Sequence, residues 1–238
     1  MPFLRDAPVQ NQPAQNQPAQ IEWREGELPV STRFDDPYFS LQDGLAETAH
    51  VFLAGNDLPM RFRDGFHIAE LGFGTGLNLL AVLDLWRGSG QRGRLHFTTF
   101  EAFPMTAPDM LRAQSAFPAL APLMAELAPF WSTSPDSFRL HDLDFTMIHG
   151  DARQTLPQWQ GCADAWFLDG FSPARNPEMW QDDLLAEIGK HTAAHGTAAT
   201  YTAAGFVRRG LQAAGFDVER RQGYGRKRHM TVARKAPA

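Results

Sequence analysis

Ile68-Ala69-Glu70-Leu71-Gly72-Phe73-Gly74-Thr75-Gly76-Leu77-Asn78 changes character twice within a few residues. Phe66, Ile68 and Leu71 make an apolar run that reads as a strand, which breaks into a glycine-rich turn. Leu77, Leu79, Leu80, Val82 and Leu83 then recur at the spacing of one helix face. Strand, glycine turn and helix together predict a nucleotide-binding corner, because glycine lets the backbone approach a ligand and a helix start offers unpaired N–H groups. The order Glu-x-Gly-x-Gly-x-Gly from Glu70 to Gly76 differs from the dinucleotide fingerprint G-x-G-x-x-G. An acid ahead of the first glycine repels a pyrophosphate but pairs with the ammonium of an amino-acid moiety. That favours S-adenosylmethionine, with a nicotinamide or flavin dinucleotide and a purely structural turn as the competing readings.

Downstream, strands alternate with helices. Leu95–Phe100 is rich in β-formers and ends in Glu101, where a carboxylate can accept both hydroxyls of a ribose. Residues 106–130 predict helices broken at Pro118 and Pro122, and 138–141 and 145–149 predict strands that pair. Asp151 follows the second of these, where an acid would meet an adenine amino group. Ala163–Leu168 is almost wholly apolar, as a central parallel strand buried on both faces should be, and it runs directly into Asp169-Gly170-Phe171-Ser172-Pro173. An acid and an aromatic in a Gly/Pro loop at a strand end suit a methyl acceptor. Asn176-Pro177 then predicts the cap and first residue of a helix over 177–191. A strand at 198–202, a helix at 206–214 and a hairpin of 216–222 with 227–234 close the pattern. Expected is an α/β fold: a class I, Rossmann-like methyltransferase with a seven-stranded sheet, a terminal antiparallel hairpin and a small N-terminal appendage.

The expected organisation is a disordered Gln/Pro repeat tail at 1–20, an appendage at 21–62 and the methyltransferase domain at 63–238. Asn11-Gln12-Pro13-Ala14-Gln15 repeats at 16–20 and cannot bury apolar surface. Asp35-Asp36-Pro37-Tyr38-Phe39 either caps a helix and packs or edges the active site, and by itself favours the first. The chain has 238 residues, 43% hydrophobic, without an apolar run near the ~20 residues of a membrane span or a signal-peptide pattern, so a cytoplasmic protein is expected. Cys162 is the sole cysteine, which excludes an internal disulfide and a Cys-rich metal site. His141 and His149 read as strand residues and no metal is expected. The net charge of −5 hides an asymmetry: residues 201–238 carry nine Arg/Lys against two acids, net +7, leaving −12 upstream. A basic lobe on an acidic body suits local contact with a polyanion or is a solvated charged face.

The segments at 29–40, 44–56, 70–78, 96–104, 164–180, 202–216 and 223–230 resemble the methyltransferase domain of the bifunctional tRNA 5-methylaminomethyl-2-thiouridine biosynthesis enzymes. DGFSPARNPEMW, and GFVRRGL followed by GYGRKR, are long and highly specific; ELGFGTGLN alone is less so. The resemblance implies S-adenosylmethionine as donor and methyl transfer to the aminomethyl nitrogen of the tRNA wobble uridine. By position, Glu70, Gly72, Gly74, Thr75, Asn78, Glu101, Asp151 and Asp169 would bind cofactor, and Asp169 and Phe171 would face the methyl and the acceptor. Arg175, Arg208, Arg209, Arg226, Lys227 and Arg228 would hold phosphates of the anticodon stem-loop. The chain stops where the family continues into a flavin oxidase domain, so a stand-alone form without flavin is expected, its precursor made by a separate oxidase or the upstream wobble-modifying enzymes. An N-methyltransferase for a small amine or protein, a nicotinamide oxidoreductase and a non-catalytic RNA-binding module are the alternatives.

Overall fold

The computed structural model describes residues 17–24, 28–40, 43–133 and 135–236. Most of the Gln/Pro repeat lies outside the described residues; Ala19, near its end, donates its N–H to the Pro104 carbonyl and packs on the core. The chain opens with an antiparallel pair, β1 (Ile21–Arg24) and β2 (Leu28–Ser31), to which β3 (Asp36–Pro37) adds. α1 (Gly44–Thr48) starts at Asp43, whose carboxylate accepts from the Ala46 N–H, and winds on through Asn56. Then follow β4 (His67–Leu71), α2 (Leu77–Gly88), β5 (Leu95–Glu101), α3 (Ala107–Gln114), α4 (Ala121–Thr133), β6 (Ser137–Arg139) and β7 (Leu143–His149). The remainder is α5 (Ala152–Thr155), β8 (Ala163–Leu168), α6 (Asp182–Lys190), β9 (Thr192–Thr200), α7 (Gly205–Ala213), β10 (Phe216–Gln222) and β11 (His229–Lys235).

The main sheet runs β10-β11-β9-β8-β4-β5-β7-β6. Its five inner strands, β9, β8, β4, β5 and β7, are parallel, and the flanking strands are antiparallel. Eight strands stand where seven are expected; the pair read at 138–141 and 145–149 forms as β6 and β7, Ser137–Arg139 turning back on Asp144–Thr146 to cover the edge of β7. From β4 the chain moves outward to one side through β5 and β7, then returns to β8 and moves to the other. This reversal is the switch point beside which ligands bind in open α/β sheets. Glu101, Asp151, Asp169 and Tyr201 consequently follow the ends of β5, β7, β8 and β9 on the same rim.

Each face of the sheet is covered. On one, Leu79, Leu80, Val82 and Leu83 of α2 join Leu123 and Leu127 of α4 and Val51, Phe52 and Leu53, all buried. On the other, Leu184, Leu185 and Ile188 of α6 meet Val207 and Leu211 of α7. β8 needs apolar side chains on both sides, which explains its lack of alternation. Pro118 breaks the helical run as expected, but Pro122 lies in the first turn of α4, where its missing N–H has no intrahelical partner to lose. The helix expected over 177–191 is two pieces, a 3-10 turn at Pro177–Trp180 and then α6. β9 begins earlier than expected, at Thr192, and the hairpin partner is 229–235 with a longer turn between. No helix among the described residues is long and apolar enough to cross a membrane.

Fully buried Asn56 fastens the N-terminal segment to the sheet. Its Nδ2 donates to the carbonyls of Phe52 and Trp166 (2.9 and 3.3 Å), and its Oδ1 accepts from Thr197 Oγ1 at 2.6 Å. Asn56→Ala strands the Thr197 hydroxyl proton and is expected to cost about 2–3 kcal/mol, read as a lower midpoint in denaturant at unchanged slope.

Candidate active site

β4 and β8 meet through backbone alone. Gly72 has φ +82°, and a Cβ there would fall 2.4 Å from the Asp169 carbonyl oxygen. Gly74, at φ +54°, turns its N–H onto Glu101 Oε2 (3.1 Å), and a Cβ there would press on the Tyr38 ring at 3.2 Å. The other Glu101 oxygen accepts from the Phe103 N–H at 2.7 Å, so two backbone donors orient this carboxylate at the end of β5. Fully buried Gln114 braces the loop by donating to the Thr75 carbonyl at 2.8 Å. α2 then starts at Gly76 with no side-chain cap.

Asn78, one residue into α2, ties three elements together. Its Nδ2 donates to Glu70 Oε1 (2.9 Å) and Asp169 Oδ2 (2.7 Å), and its Oδ1 accepts from Thr48 Oγ1 (3.0 Å). Glu70 also accepts from Thr99 Oγ1 at 2.8 Å and is fully enclosed, reaching the cavity only through Asn78. Burial lifts its pKa well above the usual carboxylate range, against the two donors. Asp169 opens onto the cavity. Burial pushes its pKa up to about 7, while the Asn78 donor and the Lys227 charge hold it down.

These residues line a cavity of about 1300 Å³ that Gly72, Gly74, Thr75, Asn78, Glu101, Asp151, Asp169 and Phe171 share. Asp151 caps α5 and pairs with the Arg153 guanidinium; despite burial, the Arg153 contacts hold its pKa below the usual value. Phe171 stacks on Phe34 (centroids 4.7 Å apart) and meets the edge of Tyr38 (5.1 Å). Asp36 accepts from the Ser172 N–H at 2.8 Å, and Asp35 pairs with Arg175 at 3.0 Å. The segment 34–38 therefore edges the site, the reading that the sequence by itself did not favour. Phe34, Glu47, Thr48 and Tyr201 also line the cavity and went unnoticed in the sequence, where Asp36 and Tyr38 were weighed but not favoured. Tyr201 had a usable signal, since it directly follows a parallel strand; the others reach the rim only through tertiary packing.

The expected phosphate contacts divide. Arg226 and Arg228 are exposed on the turn between β10 and β11, and Arg209 is exposed on α7. Arg208, Arg220 and Arg228 gather about His229, whose pKa is lowered by desolvation and then by these three charges. Arg175 is engaged with Asp35. Lys227 turns inward, its Nζ 2.7 Å from Glu47 Oε1 and 4.0 Å from the centre of the Tyr201 ring. Among the described residues no three His, Cys, Asp or Glu side chains gather as a metal site would require.

A glycine corner at the switch point, carboxylates at successive strand ends and an antiparallel hairpin closing a parallel sheet define a class I S-adenosylmethionine-dependent methyltransferase. The family model described as S-adenosyl-L-methionine-dependent methyltransferase matches residues 118–236, and the chain belongs to that family. It is 48% identical over 224 residues to the tRNA 5-methylaminomethyl-2-thiouridine biosynthesis bifunctional protein MnmC of Caulobacter sp. (strain K31), a match covering 89% of this chain and 37% of that protein. The protein of the same description from Stutzerimonas stutzeri is 44% identical over 95% of this chain and 36% of its own. The chain thus spans about a third of the length of these curated relatives. Among solved structures, that of MnmC2 from Aquifex aeolicus superimposes with a TM-score of 0.73 at 26% identity, covering 94% of this chain and 73% of the other.

Gly72→Ala adds a Cβ against the Asp169 backbone at a φ that L-residues avoid; a loss of donor binding and a lower melting temperature are expected, read by calorimetry with and without S-adenosylmethionine. The raised pKa of Asp169 means that the folded state binds its proton more tightly than the unfolded chain does. Its contribution is therefore full at low pH and is lost as pH rises towards about 7. Asp169→Asn should melt above the parent at pH 8, with the difference shrinking steadily towards pH 4.

Proposed function

We propose that the chain transfers a methyl group from S-adenosylmethionine to the aminomethyl nitrogen of 5-aminomethyl-(2-thio)uridine at the tRNA wobble position, giving 5-methylaminomethyl-(2-thio)uridine. The observation that carries this reading is a carboxylate, Asp169, fixed at the rim of the donor cavity beside an aromatic wall, with exposed arginines of α7 and the β10–β11 turn outside. Its relatives among the tRNA 5-methylaminomethyl-2-thiouridine biosynthesis proteins, 44–48% identical over most of the chain, support the same substrate.

The residues fit the donor. Gly72, lacking a side chain, packs against the Asp169 backbone and Gly74 packs beside Tyr38, and both line the cavity with Thr75 and Asn78. Glu101 retains acceptor capacity for ribose hydroxyls, and Asp151 for an exocyclic amine. Glu70 serves through Asn78, whose amide it orients. S-adenosylmethionine, when bound, supplies the methyl electrophile.

The acceptor must present a lone pair, although a primary alkylamine is largely protonated near neutral pH, as a lysine is. Asp169 positions this amine and, with a pKa raised to about 7, can take its proton. Phe171, backed by Phe34 and Tyr38, is a firm wall for the base. Arg208, Arg209, Arg226 and Arg228 hold phosphates while the wobble base leaves the anticodon loop for the cavity, with Arg175 at the rim. The aminomethyl precursor is the product of an earlier step of wobble-uridine modification, and a tRNA substrate implies a cytoplasmic enzyme.

Incubation with labelled S-adenosylmethionine and tRNA from a strain lacking the methylase should yield labelled 5-methylaminomethyl-(2-thio)uridine on digestion to nucleosides. Label in another nucleoside, or none in RNA, overturns the reading. Arg226→Ala and Arg228→Ala should each weaken RNA binding broadly and reduce the slope of log affinity against log salt by about one, leaving donor affinity unchanged.

A further inference from the structure

The inward turn of Lys227 is unusual for a cation beside a surface proposed to meet phosphates. The turn joining β10 to β11 carries it across the cavity mouth, held by a hydrogen bond from the Lys227 N–H to the Tyr224 carbonyl at 3.0 Å. Its ammonium meets Glu47 Oε1 at 2.7 Å and lies 4.0 Å from the centre of the Tyr201 ring. Neither partner is a loose surface group. Glu47 is 12% exposed, on a helix whose next residue, Thr48, is hydrogen-bonded to Asn78. The Tyr201 hydroxyl donates to the Gly170 carbonyl at 2.7 Å, which fixes the ring next to the Asp169 loop. Lys227 itself is 44% exposed, so the pair is weak and its long side chain can leave.

A carboxylate, an aromatic face and a nearby second carboxylate are what recognises an alkylammonium: charge pairing plus cation–π attraction. We propose that Glu47 and Tyr201 form the subsite that captures the primary ammonium of the acceptor, and that Lys227 occupies it as an internal stand-in until substrate arrives. The proposal rests on an aminomethyl acceptor, the reading given above, and adds the residues that select it. The acceptor's ammonium is a primary alkylammonium like that of lysine, so it makes the same contacts. It displaces Lys227 towards solvent, where Arg226 and Arg228 already stand and RNA phosphates offer the released ammonium a new partner. Glu47 selects for a cationic acceptor, and Asp169 then receives the amine for the transfer geometry. A hydroxymethyl or unmodified uridine cannot displace Lys227.

The test uses propylammonium chloride as a competitor of methyl transfer to an anticodon stem-loop RNA carrying 5-aminomethyluridine, with ionic strength held constant by sodium chloride. Emptying the subsite by Lys227→Ala should lower the inhibitory propylammonium concentration by about tenfold. Lys227→Ala/Glu47→Gln should restore it to the parent value or above, and Lys227→Ala/Tyr201→Leu should do likewise. Glu47→Gln alone should raise the KM for the RNA with donor affinity unaltered. Equal sensitivity to propylammonium in all four proteins overturns the proposal, as does an unchanged KM in Glu47→Gln. Where Lys227→Ala turns over too slowly, the propylammonium-induced shift of melting temperature in the same series gives the same comparison. A parent protein that leaves this RNA unmethylated sinks the tRNA reading, whereas a parent that methylates it with a flat variant series sinks only the subsite.

Discussion

Two carboxylates share one amide. Asn78 Nδ2 donates to both Glu70 and Asp169, which end adjacent parallel strands and would otherwise face each other with little solvent between them. The arrangement works because the two acids differ in setting. Glu70 is sealed and strongly disfavours ionisation, so the pair need not carry two full charges. Asp169 keeps one side open and titrates near neutrality. The difference gives the site one fixed polar anchor and one responsive group, and the same Asn78 amide that separates them also reaches Thr48 in the N-terminal segment.

The parts of the site that the sequence made legible are those in which a backbone constraint leaves a mark on residue type. Gly72 is required by contact with Asp169, and Asp169 itself stands out as an acid leaving an apolar strand. Glu101 and Asp151 were legible for the same reason. Burial was not: the letter at position 70 says acid, but only the packing of Thr99 and Asn78 makes it an enclosed one. Direction was not legible either. Lys227 belongs to a basic run, and nothing in that run distinguishes the lysine that folds inward from the arginines beside it. The outer strand β6 was legible as the partner of β7, although it ends earlier than expected, at Arg139. Pro122 misled because proline marks both the end and the beginning of helices.

Glu47, Asp36 and Tyr38 share a different cause of invisibility. Each sits in a segment whose local pattern is satisfied by capping or packing, and each reaches the cavity only because the N-terminal pieces fold over the rim of the sheet. The cavity is therefore built by the joined pieces, with the parallel sheet supplying the glycine corner and the preceding segment supplying one wall.

The hydrogen bond from the Ser172 N–H to Asp36 has a kinetic corollary. The two residues are 136 positions apart, so their meeting closes a very long loop, an entropic burden that falls once the intervening strands have paired. Docking the Gly170–Ser172 loop on Asp36 is thus entropically cheaper once the sheet is built than before.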